Sequence, residues 1–283
     1  MSKIIAMVDG STYSESLCRS AAWIAGRTGA EVDLVHVIRR PEQGDEQNLS
    51  GNITLGARTA LLAELAELDG ARARVAQALG REILADAEAL VREAGVSKVS
   101  TKLRLGYFVD TLIDMEGDAD LLLIGKRGET SDDNARNLGS NFERAVRSVH
   151  RPVFVAARAY RPIRNVLVAY DGGSAVQLAL DDIVKNPLFE GLAHHVIHVG
   201  EDSPKLQAEI EGIEARLTAA GRPATSELRR GAPENAIGAA VAEGQHDLLV
   251  MGAFGHSRLR GLFTGSVTAG LIRACRIPVM LYR

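Results

Sequence analysis

The feature that most limits how this chain can fold is that it repeats itself. Ile4-Ile5-Ala6-Met7-Val8-Asp9-Gly10-Ser11 returns as Val166-Leu167-Val168-Ala169-Tyr170-Asp171-Gly172-Gly173-Ser174, and Val35-His36-Val37 returns as Ile197-His198-Val199, both at an offset of 162 residues. Asp120-Leu121-Leu122-Leu123-Ile124-Gly125 returns as Asp247-Leu248-Leu249-Val250-Met251-Gly252 at an offset of 127, and Arg151-Pro152-Val153 as Ile277-Pro278-Val279 at 126. Repetition on this scale means one folding unit used twice. At 283 residues the chain is long enough for each unit to bury its own core.

The fall in offset from 162 to 127 gives the first copy a net insertion of 35 residues between its second and fourth strands. Residues 41–56 are polar and turn-rich, and from Ala57 to Ala94 an Ala, Leu, Glu and Arg-rich run has helical periodicity, with Gly70 and Gly80 as interruptions. The expected organisation is a first domain over 1–156 with a helical insertion at 41–95, a linker at 157–164 and a second domain over 165–283. Short apolar runs rich in Val, Ile and Leu alternate with helical segments, as strands buried on both faces of a parallel sheet do. The predicted strands are 3–8, 32–38, 98–104, 120–125 and 152–156, then 165–170, 194–199, 224–229, 247–252 and 278–282. The fold class is therefore α/β, two tandem doubly wound five-stranded parallel-sheet domains of Rossmann-like type. The last strand of each copy, Val153-Phe154-Val155 and Val279-Met280-Leu281, is an apolar sheet edge that needs a partner, so the two copies are expected to pair there as a pseudo-dimer.

In such a sheet, ligands sit beyond the carboxyl ends of the strands where the strand order reverses. After strand four, copy two reads Gly252-Ala253-Phe254-Gly255-His256-Ser257-Arg258-Leu259-Arg260-Gly261-Leu262-Phe263-Thr264-Gly265-Ser266-Val267-Thr268. The glycines let backbone approach a ligand closely, and the helix beginning near Ser266 turns its free amides towards the loop, which suits an anion. Arg258 and Arg260 add positive charge, Ser266 and Thr268 add hydroxyls, and His256 could donate to a phosphate. The alternative is a plain strand-to-helix connection with Ser266 as N-cap. The loop, running from Met251 to Phe263, is long for that.

The Asp after strand one, the Gly252-x2-Gly255-x9-Gly265-Ser266 spacing after strand four and the Pro-Val last strand resemble the universal stress protein family. The tandem arrangement with its helical insertion resembles the UspE-type subgroup. The resemblance covers essentially the whole chain. It implies ATP or another adenine nucleotide as ligand, with Mg²⁺ or Mn²⁺ left open. Asp171 and the backbone at Ala169 would meet the adenosine, Val199 the adenine, and Met251, Gly252, Gly255, Gly265, Ser266 and Val267 the ribose and phosphates, beside His256 and Thr268. The alternative for Asp171 is a turn or N-cap residue before Gly172-Gly173.

The equivalent positions of copy one, Met7, Asp9, Val37, Gly125, Gly128, Gly139 and Ser140, form a second candidate site. Its loop has ten residues between the second and third glycines and carries Glu129, Asp132 and Asp133, whose charge opposes a triphosphate unless Lys126, Arg127, Arg136 or a metal offsets it. Copy one is therefore expected to be degenerate and structural.

Composition narrows the function further. A net charge of -3 lacks the broad basic field of a nucleic-acid binder, and no stretch of 18 apolar residues suggests a membrane span. Two cysteines, Cys18 and Cys275, without a paired motif, and an N-terminus without a cleavable signal pattern point to a reduced, cytoplasmic protein. His194 and His198 fall on one face of a strand and His195 on the other, which is awkward for a metal site, and none is expected. The glycine loop has no carboxylate base for water and no Lys of a G-x4-G-K-[ST] loop, so no catalytic residue is assigned and binding is favoured over turnover. Three functions stay open. They are a nucleotide-dependent stress-response regulator, a slow ATPase or autophosphorylating enzyme, and a nucleotide-free interaction module. A further homodimer and an unidentified protein partner also stay open.

Overall fold

The computed structural model describes residues 1–39, 55–126, 142–243, 246–253 and 265–283, with only the backbone of 55–63 and 265–267. Ten strands form one continuous sheet. In the first half β1 (Lys3–Met7), β2 (Glu31–Arg39), β3 (Val99–Gly106), β4 (Leu121–Gly125) and β5 (Val153–Ala156) alternate with α1 (Ser14–Thr28), α2 (Leu55–Glu93), α3 (Phe108–Glu116) and α4 (Phe142–Ser148). In the second, β6 (Asn165–Tyr170), β7 (Ala193–Val199), β8 (Ala224–Arg229), β9 (Leu248–Gly252) and β10 (Val279–Tyr282) alternate with α5 (Ser174–Lys185), α6 (Pro204–Ala219), α7 (Pro233–Glu243) and α8 (Gly265–Ala274). All ten strands lie within two residues of their predicted bounds.

The strand order is β3-β2-β1-β4-β5-β10-β9-β6-β7-β8. Pairing is parallel within each half, and the halves join through antiparallel β5 and β10, with Phe154 opposite Met280 and Val153 opposite Leu281. The two apolar edges thus cover one another, as a pseudo-dimer requires. The outer strands β3 and β8 carry polar and charged residues such as Lys102, Arg104, Glu227 and Arg229, and they are largely half-exposed.

Continuous apolar strands divide their side chains between two cores, because successive residues point to opposite faces. Ile4, Ala6 and Val8 share one core with residues of α1, α2, α5 and α6, while Ile5 and Met7 share the other with residues of α3, α4, α7 and α8. Val166 and Val168 against Leu167 and Ala169 repeat the division in β6. The repeated Asp before strand four has one role in both halves. Asp120 accepts from the amide of Lys3 at 3.2 Å, and Asp247 accepts from those of Arg164 (2.9 Å) and Asn165 (3.0 Å). Each holds the start of its first strand beside its fourth.

The insertion differs from its sequence-based expectation in one respect. α2 is a single helix of 39 residues that runs through both Gly70 and Gly80. A glycine costs a helix about 1 kcal/mol against alanine, which a helix of this length absorbs. At Gly80 the cost has a return in packing, since a Cβ there would stand 2.7 Å from Leu103 Cδ1 and 2.9 Å from His36 Cδ2. The missing side chain lets α2 lie close against β2 and β3.

Candidate functional site

In each half the strand order reverses between strand one and strand four, and sheets of this kind hold ligands at the carboxyl ends of that pair, here β6 and β9 in the second half and β1 and β4 in the first. In the second half Ala169 of β6 is paired with Met251 of β9, which brings the Asp171-Gly172-Gly173 turn alongside Gly252 and Ala253. Val199 ends the neighbouring β7, and Ala169, Val199, Met251 and Ala253 are buried in one core cluster. These residues lie at or just beyond the carboxyl ends of β6, β7 and β9.

The turn after β6 is built by Asp171 itself. Its Oδ1 accepts from the amide of Gly173 at 2.9 Å, the side-chain-to-backbone turn typical of Asp, and Gly172 follows at φ 76°. Asp171 is 7% exposed. Gly252 is occupied by a packing demand, since a Cβ there would lie 3.2 Å from Ala175 Cβ in the first turn of α5. α8 begins at Gly265 and continues through Ser266 and Val267, so its amino end follows the loop after β9 directly. Thr268, in its first turn, is fully buried with a hydroxyl that has no hydrogen-bond partner among the described residues. Gly255 and His256 lie outside the described residues, as do Arg258 and Arg260.

Copy one has the same frame with different furnishing. Met7 closes β1, Asp9 follows it, Val37 lies in β2 and Gly125 ends β4, while Gly128, Gly139 and Ser140 lie outside the described residues. Asp9 Oδ1 accepts from the amide of Ser11 at 3.0 Å and from the Ser14 hydroxyl at 3.2 Å. The residue equivalent to Ser14 in copy two is Val176, so Asp171 has one donor fewer. Gly10 has φ 77°, matching Gly172, but a Cβ on it would meet Ile83 Cδ1 of α2 at 2.9 Å, whereas one on Gly172 would meet nothing within 4 Å. The insertion helix therefore lies over the turn in copy one, and among the described residues nothing lies over Gly172 in copy two. Lys126, the cation nearest the end of β4, is 6% exposed and donates to the carbonyl oxygens of Cys275 and Ile277 in the second half.

Two histidines belong to the frame, a role the sequence reading did not assign. His36 Nδ1 lies 2.8 Å from Val8 O and His198 Nδ1 lies 2.9 Å from Tyr170 O, each pinning the end of strand one to strand two. The shared offset of 162 was the available signal. His194 and His198 are buried on one face of β7, and His195 lies on the other, against Thr225 and Glu227. Among the described residues no helix is long and apolar enough to cross a membrane.

The model of the universal stress protein family matches residues 1–157 and 162–283. A universal stress protein of Synechocystis sp. is 35% identical over 287 residues, covering 100% of both chains. The crystal structure of a universal stress protein from Archaeoglobus fulgidus has a TM-score of 0.68 at 21% identity, covering 99% of this chain and 95% of that one. A universal stress protein solved in complex with cAMP is 25% identical over 44% of this chain and 98% of its own, with a TM-score of 0.37. With both halves matched by one family model and a full-length relative above 30% identity, this chain belongs to the universal stress protein family, as a tandem of two such domains.

Proposed function

We propose that this tandem universal stress protein binds ATP, or another adenine nucleotide, at the carboxyl ends of β6 and β9 and acts as a nucleotide-dependent stress-response regulator. The observation that carries this reading is the juxtaposition of the Asp171–Gly173 turn with Met251–Ala253, joined by a glycine-spaced loop to the amino end of α8. A carboxylate suits hydroxyl or amino donors of an adenosine, and a helix amino end suits its phosphates. Mg²⁺ or Mn²⁺ would accompany the phosphates as their counter-ion. The first half is its structural partner, because Ile83 lies over its turn and Lys126 is committed to the carbonyls of Cys275 and Ile277.

The test is to denature the purified protein, identify any released nucleotide, and titrate the emptied protein with ATP. Binding should survive Gly139→Asp and be lost in Gly265→Asp, which sets a carboxylate at the amino end of α8. Nucleotide retained after Gly265→Asp, or neither nucleotide nor titration heat in the unaltered protein, overturns the assignment. Phosphate release followed over time with Mg²⁺ or Mn²⁺ should stay at background, and steady turnover would instead favour the ATPase.

A further inference from the structure

The insertion helix uses two different faces along its length. From Gly80 onward it turns Gly80, Leu84, Ala87 and Val91 to the sheet, all buried. Before Gly80 no described side chain is buried, and Leu65 (43% exposed), Leu68 (49%), Val75 (68%) and Leu79 (54%) stand in solvent. Those four form one stripe, rotated about 100° around the helix from the sheet-facing one at ~3.6 residues per turn. Among the described residues nothing covers it.

The spacing of the stripe suits a second helix as its occupant. Leu65, Leu68, Val75 and Leu79 fall at positions a, d, d and a of a seven-residue repeat, with Arg72 at the remaining a. A period of about 3.5 residues suits the seam of a helix that packs along a second helix, and after Gly80 the sheet-facing stripe is widened by Ile83 and Leu90, which pack against the same core, whereas no such flanking residues are buried before it. Charge sets the direction. Between Glu64 and Arg81 the acids Glu64, Glu67 and Asp69 all precede Gly70, and the bases Arg72, Arg74 and Arg81 all follow it. A parallel pair would stack Arg72 on Arg72. An antiparallel pair about a two-fold axis near Gly70 sets the acidic half of each helix on the basic half of the other, Leu65 beside Val75, and opposes the helix dipoles. Asp69 and Arg72, 3.8 Å apart on one helix and both exposed, then lie near the axis, where the Asp69 of one copy can reach the Arg72 of the other.

We propose that the amino-terminal half of α2 is a self-association arm that pairs antiparallel with the same segment of a second copy of this chain. The dimer it makes is separate from the β5–β10 seam, which is already filled within one chain.

Sedimentation or light scattering on the full chain should give roughly twice the 30.3 kDa of one chain. Leu68→Glu combined with Val75→Glu should halve that mass with no change in melting temperature, since both side chains are exposed. Oxidising a mixture of Leu65→Cys and Val75→Cys proteins should yield the mixed disulfide dimer, with little dimer from Leu65→Cys alone. Monomer mass in the unaltered protein at tens of micromolar, a dimer that survives the double Glu variant, or ready self-crosslinking of Leu65→Cys would each overturn the proposal.

Discussion

The ammonium of Lys126, at the end of β4, donates to the carbonyl oxygen of Cys275 at the end of α8, so a residue of the first half's glycine loop holds the second half in place. Ile277 O, 3.4 Å away, shares the same ammonium. Burying a charge is tolerated only where hydrogen bonds replace water, and here two carbonyls do so. Lys126→Met keeps the aliphatic packing and leaves both carbonyls without their donor. It should destabilise the protein by about 1–3 kcal/mol in denaturant melts, while ATP titration of the second half stays unchanged. A loss of nucleotide affinity with unchanged stability would mean that Lys126 serves a phosphate instead.

The two glycines of the strand-one turns should behave differently although their backbones match. Gly172→Ala places a Cβ in open space at φ 76°, so its cost is the left-handed conformation alone, about 1–2 kcal/mol. Gly10→Ala at φ 77° adds a collision with Ile83, and its loss of stability should exceed that of Gly172→Ala. Ile83→Ala introduced into the Gly10→Ala protein should recover part of the excess. Additive effects of the two changes in a double-mutant cycle would show that α2 does not press on that turn.

Most of the sheet was legible because its strands are buried on both faces. A run such as Leu121-Leu122-Leu123-Ile124 has no other economical use, and the repeat doubled each assignment. The antiparallel β5–β10 seam followed from the need to cover two apolar edges. The path of α2 was not legible. Gly70 and Gly80 look alike in sequence, and only the position of Leu103 and His36 tells a packing glycine from an exposed one. In the site, spacing identified the segments that converge and offered Asp171 as a turn residue, but not that α2 would come to lie over Gly10. That contact depends on the side chain of Ile83, from an element more than 70 residues away in sequence.

The same pair of glycines gives opposite expectations for stability. Gly70→Ala meets nothing nearer than Arg74 Nη1 at 3.9 Å and gains helix propensity, so it should stabilise the protein by about 0.5–1 kcal/mol. Gly80→Ala gains the same propensity but drives a methyl into Leu103 and the His36 ring, which is fixed by its contact with Val8 O. Overpacking of that kind costs about 1–3 kcal/mol, so the net effect should be destabilising. Thermal melts of the two variants should move in opposite directions, and a shared direction would show that α2 does not depend on close approach at Gly80.

Stability below neutral pH should depend on His194. The residue is 2% exposed, and its ring lies 6.2 Å from the ring of Phe189. Burial, with the Arg222 guanidinium adding to it, pushes the imidazole down from 6.5 to about 4. Between those values the unfolded chain takes up a proton that the folded one refuses, so acid favours unfolding. The contribution is absent above about pH 6.5, grows as pH falls, and is complete below about pH 4, where it reaches about 3 kcal/mol. Asp33, Glu116 and Asp120, held below the usual carboxylate range by their hydrogen bonds and neighbouring charges despite partial burial, also lose stability towards acid. His194→Phe isolates the imidazole, because it keeps an aromatic ring and removes only the proton uptake. Its stability should fall less steeply than that of the unaltered protein between pH 6.5 and 4, and run parallel to it above pH 7. Parallel curves across the whole range would mean that the folded protein protonates His194 without penalty.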